Sequence, residues 1–211
     1  LAIQGDGAFA PFWGDLRYER ALCAGITIKT FSVDMVKRLE GRWPDLPETG
    51  FKVGVASSRL LVKRIGTPRN PAQKEPVWAG KAVNYAAKAA QGAERHQMVV
   101  TGTVWDVVEK NDYLSITCPC GNGPTDALWA DTEIERLPDG APDAQGRVLN
   151  SKWCEVHGAE YCAAVLDGKR NRDEVTEVRK AVAASQMRSA IRNKARNERA
   201  LRLAHLHGLA S

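Results

Sequence analysis

The sequence lacks both a long hydrophobic run and an apolar leader. No stretch approaches the roughly 18 uninterrupted apolar residues of a membrane-spanning helix, so we expect no membrane partner. Residues 1–15 lack the basic start and apolar core of a secretory signal. The 211 residues are 44% hydrophobic and 26% charged, which excludes a disordered or fibrous chain. We expect a soluble, cytoplasmic protein with one domain and an appendage, or with two small domains.

Aromatic residues are absent from the C-terminal region, which carries the net positive charge. The formal charge is +5 in total, and the region from Lys169 to Ser211 holds 11 basic and 4 acidic residues. Its apolar spacing predicts one long helix over residues 173–206. That helix has three alternatives: nucleic-acid binding, dimerisation, or docking on the rest of the chain. Because single-strand binders interleave aromatic residues with charges, we favour docking or dimer contact.

The rest of the chain alternates between strand and helix patterns, with few strand–helix–strand units. Gly5, Asp6 and Gly7 form a predicted turn between two short strands, with the aspartate at its tip. The other predicted elements are helices over 18–39, 83–91 and 103–108, a hairpin over 51–65, a loop over 66–76, strands over 98–100, 114–117 and 128–137, and a turn region over 138–145. This order predicts an α+β layer sandwich.

Five cysteines are too few and too unevenly spaced for a disulfide framework. Four of them fall between positions 118 and 162, in the pattern C-x-C followed, after a gap, by C-x-x-H-x-x-x-x-C. Zinc takes four sulfur or nitrogen ligands in a closed structural site, so the pattern predicts a structural zinc ion. Buried free cysteines are the alternative. Five residues compete for the four places: Cys118, Cys120, Cys154, His157 and Cys162.

Three polar residues could serve phosphate chemistry. Asp6 is either a turn residue or a carboxylate ligand for a hard cation such as Mg²⁺ or Mn²⁺. Asn84 and Lys88 are four residues apart, so they share one face of a helix. A donor amide beside an ammonium suits the transition state of phosphoryl transfer. The alternatives are a helix cap for Asn84 and a solvated charge for Lys88.

Four blocks, taken in order, resemble the core of the class III nucleotidyl cyclases. They are Gly5–Asp6, the predicted hairpin over 51–65, residues 80–88 and residues 98–105. The resemblance covers about residues 1–137. It implies a ferredoxin-like α+β fold that works as a homodimer with active sites at the interface. It also implies attack of a ribose 3′-hydroxyl on the α-phosphate of the same nucleotide, giving a 3′,5′-cyclic nucleotide and pyrophosphate.

The resemblance assigns roles to single residues. Asp6 matches the second metal-binding aspartate of the family, which implies Mn²⁺ or Mg²⁺. Asn84 matches the asparagine that positions the ribose, and Lys88 falls where most members have an arginine that stabilises the transition state; both would act across the dimer interface. The first metal aspartate would lie ahead of Leu1, so a complete chain would be inactive and we expect that the sequence is truncated.

Two residues at the base-reading positions argue against adenine, and a further resemblance implies a pyrimidine. Ala2 and Val77 stand where adenylyl cyclases have a lysine and an acidic residue, so neither can recognise adenine by those hydrogen bonds. The segment around Trp78 resembles the Pycsar pyrimidine cyclases of bacterial antiphage systems, whose product activates a separate effector. We expect UTP as substrate before CTP. Arg69 and Lys74 are candidate base or phosphate contacts, with solvated loop charges as the alternative.

These predictions divide the chain into three parts. Residues 1–137 form a partial cyclase domain, residues 118–166 a zinc-binding loop region that overlaps its end, and residues 170–207 a basic helix. A different class of function remains as the alternative: a zinc-dependent nucleic-acid-binding protein on a degenerate, inactive cyclase scaffold. A steep salt dependence of duplex binding without nucleotide turnover would favour it.

Overall fold

The computed structural model describes most of the chain. The described residues are 1–4, 7–45, 47–66, 75–120, 128–177, 179–180, 184, 187–188, 191 and 194. They belong to two compact units, residues 1–170 and residues 171–211. In the second unit, residues 173–177 and every described position beyond them are helical. The long C-terminal helix stays a prediction, because the rest of that unit lies outside the described residues.

The described residues of the first unit form five helices and eight strands, and the predicted α+β class is confirmed. The helices are α1 Arg17–Arg42, α2 Lys81–Gly92, α3 Gly102–Val108, α4 Asp112–Ser115 and α5 Gly158–Leu166. The strands are β1 Ala2–Gln4, β2 Gly7–Phe9, β3 Val53–Val55, β4 Leu61–Ile65, β5 Glu75–Ala79, β6 Met98–Val100, β7 Trp129–Glu133 and β8 Gln145–Leu149. Within the described parts of the chain, no helix has the length and hydropathy needed to cross a membrane.

A four-stranded mixed sheet forms the centre of the unit. Its strand order is β3-β6-β8-β7, with β3 parallel to β6 and the other neighbours antiparallel. Successive side chains of a strand point to opposite faces of the sheet. Met98 and Val100 accordingly pack in one core cluster, with residues of α1, α3 and α5, whereas Val99 packs in a second cluster, with Tyr85 and Ala89 of α2. The sheet therefore separates α1 from α2.

Helix α2 lies very close to the sheet because its neighbour on β3 is a glycine. A Cβ on Gly54 would lie 2.0 Å from the backbone oxygen of Ala86 and 2.6 Å from the backbone nitrogen of Ala90. Only a residue without a side chain fits between β3 and α2 at this distance. The alanine-rich composition of α2 and the glycine of β3 thus set the height of the helix above the sheet.

Two hairpins complete the unit, and one of them corrects a prediction. β1 pairs with β2, as predicted, and β4 pairs with β5 in the register Leu61↔Ala79 to Ile65↔Glu75. The predicted hairpin over 51–65 is wrong, because β3 pairs with β6 and β4 with β5. The predicted loop over 66–76 overlaps the first two residues of β5, Glu75 and Pro76.

Three further differences concern residues 112–166. The predicted strand over 114–117 is wrong, since residues 112–115 form α4. The side chain of Asn111 caps that helix by accepting a hydrogen bond from the backbone N–H of Tyr113 at 3.0 Å. β8 begins at the end of the predicted turn region and pairs with both β6 and β7. α5 was not predicted at all.

Candidate functional site

Helix α2 presents two of the predicted site residues away from the core. Asn84 is exposed and Lys88 is half-buried, one helical turn further along. Tyr85 and Ala89 on the same helix are buried in the second core cluster. The helix therefore holds an amide and an ammonium on its outer side, where a ligand or a partner surface can meet both groups.

The start of α2 is fixed by Gly80 and Ser58. Gly80 is the N-cap residue, and a Cβ there would lie 2.7 Å from the carbonyl oxygen of Arg59. The backbone N–H of Ala82 donates a 2.8 Å hydrogen bond to the hydroxyl of Ser58, which satisfies one of the free donors at the helix start. Asn84 lies inside the helix, so the alternative in which it caps the helix is wrong.

Strand β5 brings two further predicted residues next to α2. Val77 is exposed and pairs with Lys63 across the hairpin, and Trp78 is half-buried. The ring of Trp78 makes an edge-on contact with Phe9 of β2, with ring centroids 6.2 Å apart. This contact joins the two hairpins beside the start of α2, because β5 runs into the helix through Gly80.

Several predicted residues lie outside the described part of the chain. They are Asp6, Arg69 and Lys74, together with the side chain of Ala2. Their roles as metal, base or phosphate ligands stay predictions.

The structure brings together four of the five predicted zinc ligands, named here the Cys/His cluster: Cys118, Cys120, Cys154 and His157. Their ligand atoms all lie within 4.8 Å of one another. The Sγ atom of Cys120 is 3.0 Å from the Sγ atoms of Cys118 and Cys154, and 3.4 Å from Nδ1 of His157. One pair of ligands follows α4 and the other pair precedes α5, so the cluster joins two segments that are distant in sequence.

Cys162 lies elsewhere. It is on α5 and packs against the first core cluster, where the thiol of Cys23 on α1 lies 4.0 Å from the Cys162 carbonyl oxygen. Burial and the neighbouring Cys162 raise the pKa of the Cys23 thiol. Both cysteines therefore serve packing between α1 and α5.

Contacts within the Cys/His cluster shift the pKa values of two thiols in opposite directions. Bonds to Cys118 and Cys154 raise the pKa of Cys120 to about 12. The bond from Cys120, together with the backbone N–H groups of His157 and Val156, lowers the pKa of Cys154 to about 6. The backbone N–H groups of Val156 and His157 thus favour a thiolate at Cys154.

The segment that carries Cys154 is attached to α1. The backbone N–H of Trp153 donates to Oγ1 of Thr30 at 3.0 Å, and its indole N–H donates to Oγ1 of Thr27 at 3.1 Å. Lys152 forms an ion pair with Asp34 at 2.6 Å, and this hydrogen bond lowers the pKa of the Asp34 carboxyl. The sequence signal for this anchor is the spacing of the two threonines, which puts them on one helix face, and we missed it.

A surface cavity of about 630 Å³ lies along the same face of α1. Its lining includes Phe31, Asp34 and Trp43 of the α1 region together with Trp153. None of the lining residues belongs to the predicted nucleotide site, and the sheet separates α1 from α2. The cavity is therefore a feature of the α1 side of the unit.

Comparison with known proteins identifies close relatives. No family model matches the chain. A protein of Micromonospora echinofusca named uridylate cyclase is 61% identical over 210 residues, which are 99% of this chain and 68% of that protein. A protein of Propioniciclava tarda with the same name is 51% identical over 195 residues, which are 92% of this chain and 63% of that protein. The chain thus spans about two thirds of the length of these relatives.

Proposed function

The chain belongs to the uridylate cyclase family, and from that premise we propose that it converts UTP to 3′,5′-cyclic UMP and pyrophosphate. The class of activity follows from the relatives: a pyrimidine nucleotide cyclase, which is a phosphorus–oxygen lyase. The single observation that carries the proposal is 61% identity over 99% of this chain. CTP is the alternative substrate.

We assign the reaction to the outer side of α2. Attack of the ribose 3′-oxygen on the α-phosphorus forms one P–O bond and breaks the bond to the β,γ-pyrophosphate, while the 3′-hydroxyl loses its proton. Asn84 would orient the ribose by hydrogen bonds, and Lys88 would stabilise the charge that develops on the phosphate oxygens. Lysine supplies a point charge in place of the planar fork of arginine, so one phosphate oxygen at a time is the expected contact.

The divalent cation of this proposal is Mn²⁺ or Mg²⁺, which would polarise the attacking hydroxyl and neutralise charge on the triphosphate. Asp6 is its proposed ligand, together with a second aspartate. The Cys/His cluster is a separate matter, because thiolate ligands favour zinc over these hard cations.

A homodimer with active sites at its interface is part of the proposal. Asn84 and Lys88 project from a helix whose other side is packed on the sheet. A nucleotide bound there needs a second wall, and a second copy of the chain would supply it. The ferredoxin-like class, cytoplasmic location, antiphage role and separate effector rest on the resemblance to the Pycsar cyclases, and we propose them on that ground.

Product analysis tests the proposal. The protein expressed from its natural gene is incubated with Mn²⁺ and each ribonucleoside triphosphate, and the products are identified by mass spectrometry. Asn84→Ala should lower kcat by roughly 100-fold or more. Gln91→Ala is the matched control: it removes an amide from the same helix, and its side chain bonds Arg136 at 2.9 Å.

Each outcome has a definite meaning. Cyclic UMP that is lost in Asn84→Ala and retained in Gln91→Ala supports the proposal. A cyclic purine would overturn the interpretation of Val77. No product from any triphosphate, combined with salt-dependent duplex binding, would favour the nucleic-acid-binding alternative.

A further inference from the structure

We propose that the Cys/His cluster binds one zinc ion in a closed structural site that fastens the segment after α4 to the segment before α5. None of its residues is assigned to the proposed cyclase reaction, whose described residues lie on α2 and β5. The inference rests on the geometry of the four side chains, on the groups that orient them, and on the connection that the ion would make between the two segments.

The ligand set matches zinc in number and kind. Three sulfur atoms and one imidazole nitrogen converge, and none of the cluster's members is a carboxylate. Zinc accepts this set as a tetrahedron, whereas Mg²⁺ and Mn²⁺ prefer oxygen ligands. Four protein ligands fill the coordination sphere, so the site has no open position for a water or substrate and its role is structural.

The nitrogen–sulfur distances fit a tetrahedral ion. Zn–S bonds of about 2.3 Å and Zn–N bonds of about 2.0 Å give tetrahedral edges of about 3.8 Å between sulfurs and about 3.5 Å between sulfur and nitrogen. Nδ1 of His157 is 3.4 Å from the Sγ of Cys120 and 3.9 Å from that of Cys154. The Sγ atom of Cys120 is 3.0 Å from those of Cys118 and Cys154, so each of these sulfur pairs must separate by about 0.8 Å to admit the ion.

The surroundings of the cluster already orient two of the ligands. The backbone N–H groups of Val156 and His157 lie 3.4 Å and 3.5 Å from the Sγ of Cys154 and donate to it. The His157 ring stacks on Tyr161, with centroids 5.8 Å apart and planes at 26°. Such outer groups fix ligand orientation in metal sites. Nδ1 is the nitrogen that would bind the ion, because it is the ring nitrogen that lies 3.4 Å from the Sγ of Cys120.

The two segments that the ion would join have different supports. Residues 150–157 contain neither helix nor strand, and Trp153 fastens them to α1 through Thr27 and Thr30. In the segment that carries Cys118 and Cys120, the described residues 116–120 contain one isolated β-bridge, at Ile116, and no helix or longer strand. A zinc ion would connect this second segment to the α1 anchor through Cys154, and metal binding would thereby add to folding stability.

Metal analysis of the purified protein tests the site. We expect one zinc per chain, and an X-ray absorption spectrum with three sulfur neighbours and one nitrogen neighbour. Cobalt bound in place of zinc should show the intense visible bands of tetrahedral coordination and a thiolate charge-transfer band. These measurements use the unaltered protein, so they remain decisive if a ligand variant fails to fold.

Variants separate the cluster from the other cysteines. Cys120→Ser should lower zinc affinity by more than the roughly 10- to 100-fold that the loss of an outer-shell partner costs. His157→Cys should retain zinc with four sulfur neighbours, whereas His157→Ala should lose affinity. Cys162→Ala is the matched control and should keep one zinc per chain.

Four results would overturn the proposal. The first is a zinc content far below one per chain in protein produced with ample zinc. The second is a coordination shell dominated by oxygen. The third is zinc affinity in Cys120→Ser equal to that of the unaltered protein. A coordination shell of four sulfurs without nitrogen would mean that another cysteine binds in place of His157. This result would also reject the proposed ligand set. Cyclase activity enters none of these results, so the two proposals fail separately.

Discussion

Replacing Gly54 by alanine tests whether the close approach of α2 to the sheet positions Asn84 and Lys88. The new Cβ would lie 2.0 Å from the Ala86 carbonyl oxygen and 2.6 Å from the Ala90 nitrogen. Both are backbone atoms of α2, so no change of rotamer relieves the overlap. Real Cβ atoms essentially never approach within 3.0 Å, and the helix must therefore retreat by about 1 Å or the strand must yield as much.

A displacement of this size has two measurable effects. Overpacking should lower the free energy of unfolding by about 1–3 kcal/mol, seen as a lower urea midpoint with an unchanged slope. A misplacement of about 1 Å costs on the order of 100-fold in rate, so we expect kcat of the folded Gly54→Ala protein for cyclic nucleotide formation to fall by about that factor.

Gly92→Ala is the control for this prediction. Gly92 is the last residue of α2, and a Cβ there would meet nothing within 4 Å, so midpoint and kcat should stay close to those of the unaltered protein. A Gly54→Ala protein that unfolds at the unaltered midpoint would refute the packing argument. A lowered midpoint with unchanged kcat would refute the link between helix height and catalysis alone.

Three smaller predictions concern polar contacts, each measured by denaturation. Ser58→Ala removes the acceptor at the start of α2 and should cost about 1 kcal/mol, read from the urea midpoint. Trp153→Phe removes the indole donor to Thr27 and should cost a similar amount, about 1 kcal/mol, read from Tm. Lys152 lowers the pKa of Asp34, so this carboxylate stabilises the fold above its unfolded pKa and the contribution is lost as pH falls through its folded pKa; Asp34→Asn should weaken the fall of Tm on acidification.

The local sequence pattern was enough to predict the elements whose structure is determined by their own side chains. The apolar spacing of residues 18–39 predicted α1, and three consecutive apolar residues predicted β6. In both cases the apolar pattern that identifies the element lies within the element itself. The hairpin over 51–65 failed for a physical reason: β3 pairs in parallel with β6, far along the chain, and a local alternation does not name its partner. β8 was missed for a similar reason. It pairs with β6 and β7, and its own sequence does not identify these partners.

The candidate sites show the same limit. Spacing alone put Asn84 and Lys88 on one helix face, and the structure places both on the outer side of α2. Spacing could not decide which of Cys120, His157 and Cys162 lies outside the Cys/His cluster. That choice depends on α5, which begins at Gly158 and turns Cys162 toward α1 and Cys23, and the helix had no clear signal in the sequence.

The proposed nucleotide site and the proposed zinc site lie on different sides of the sheet, and this separation gives a last prediction. Val99 packs in the core cluster of α2, whereas Met98 and Val100 pack in the cluster of α1. The segment with Cys154 is attached to α1, and the proposed nucleotide contacts lie on α2. Loss of zinc should therefore lower stability without displacing the groups proposed for catalysis.

Cys120→Ser makes this comparison without a packing defect, because Cys120 is exposed. We expect a lower Tm than that of the unaltered, zinc-loaded protein, and kcat and KM for UTP that are unchanged at temperatures where the variant is folded. Cys162→Ala controls for the loss of a thiol in general. A large fall in kcat for folded Cys120→Ser would contradict the separation, because it would mean that the sheet transmits the state of the metal site from α1 to α2.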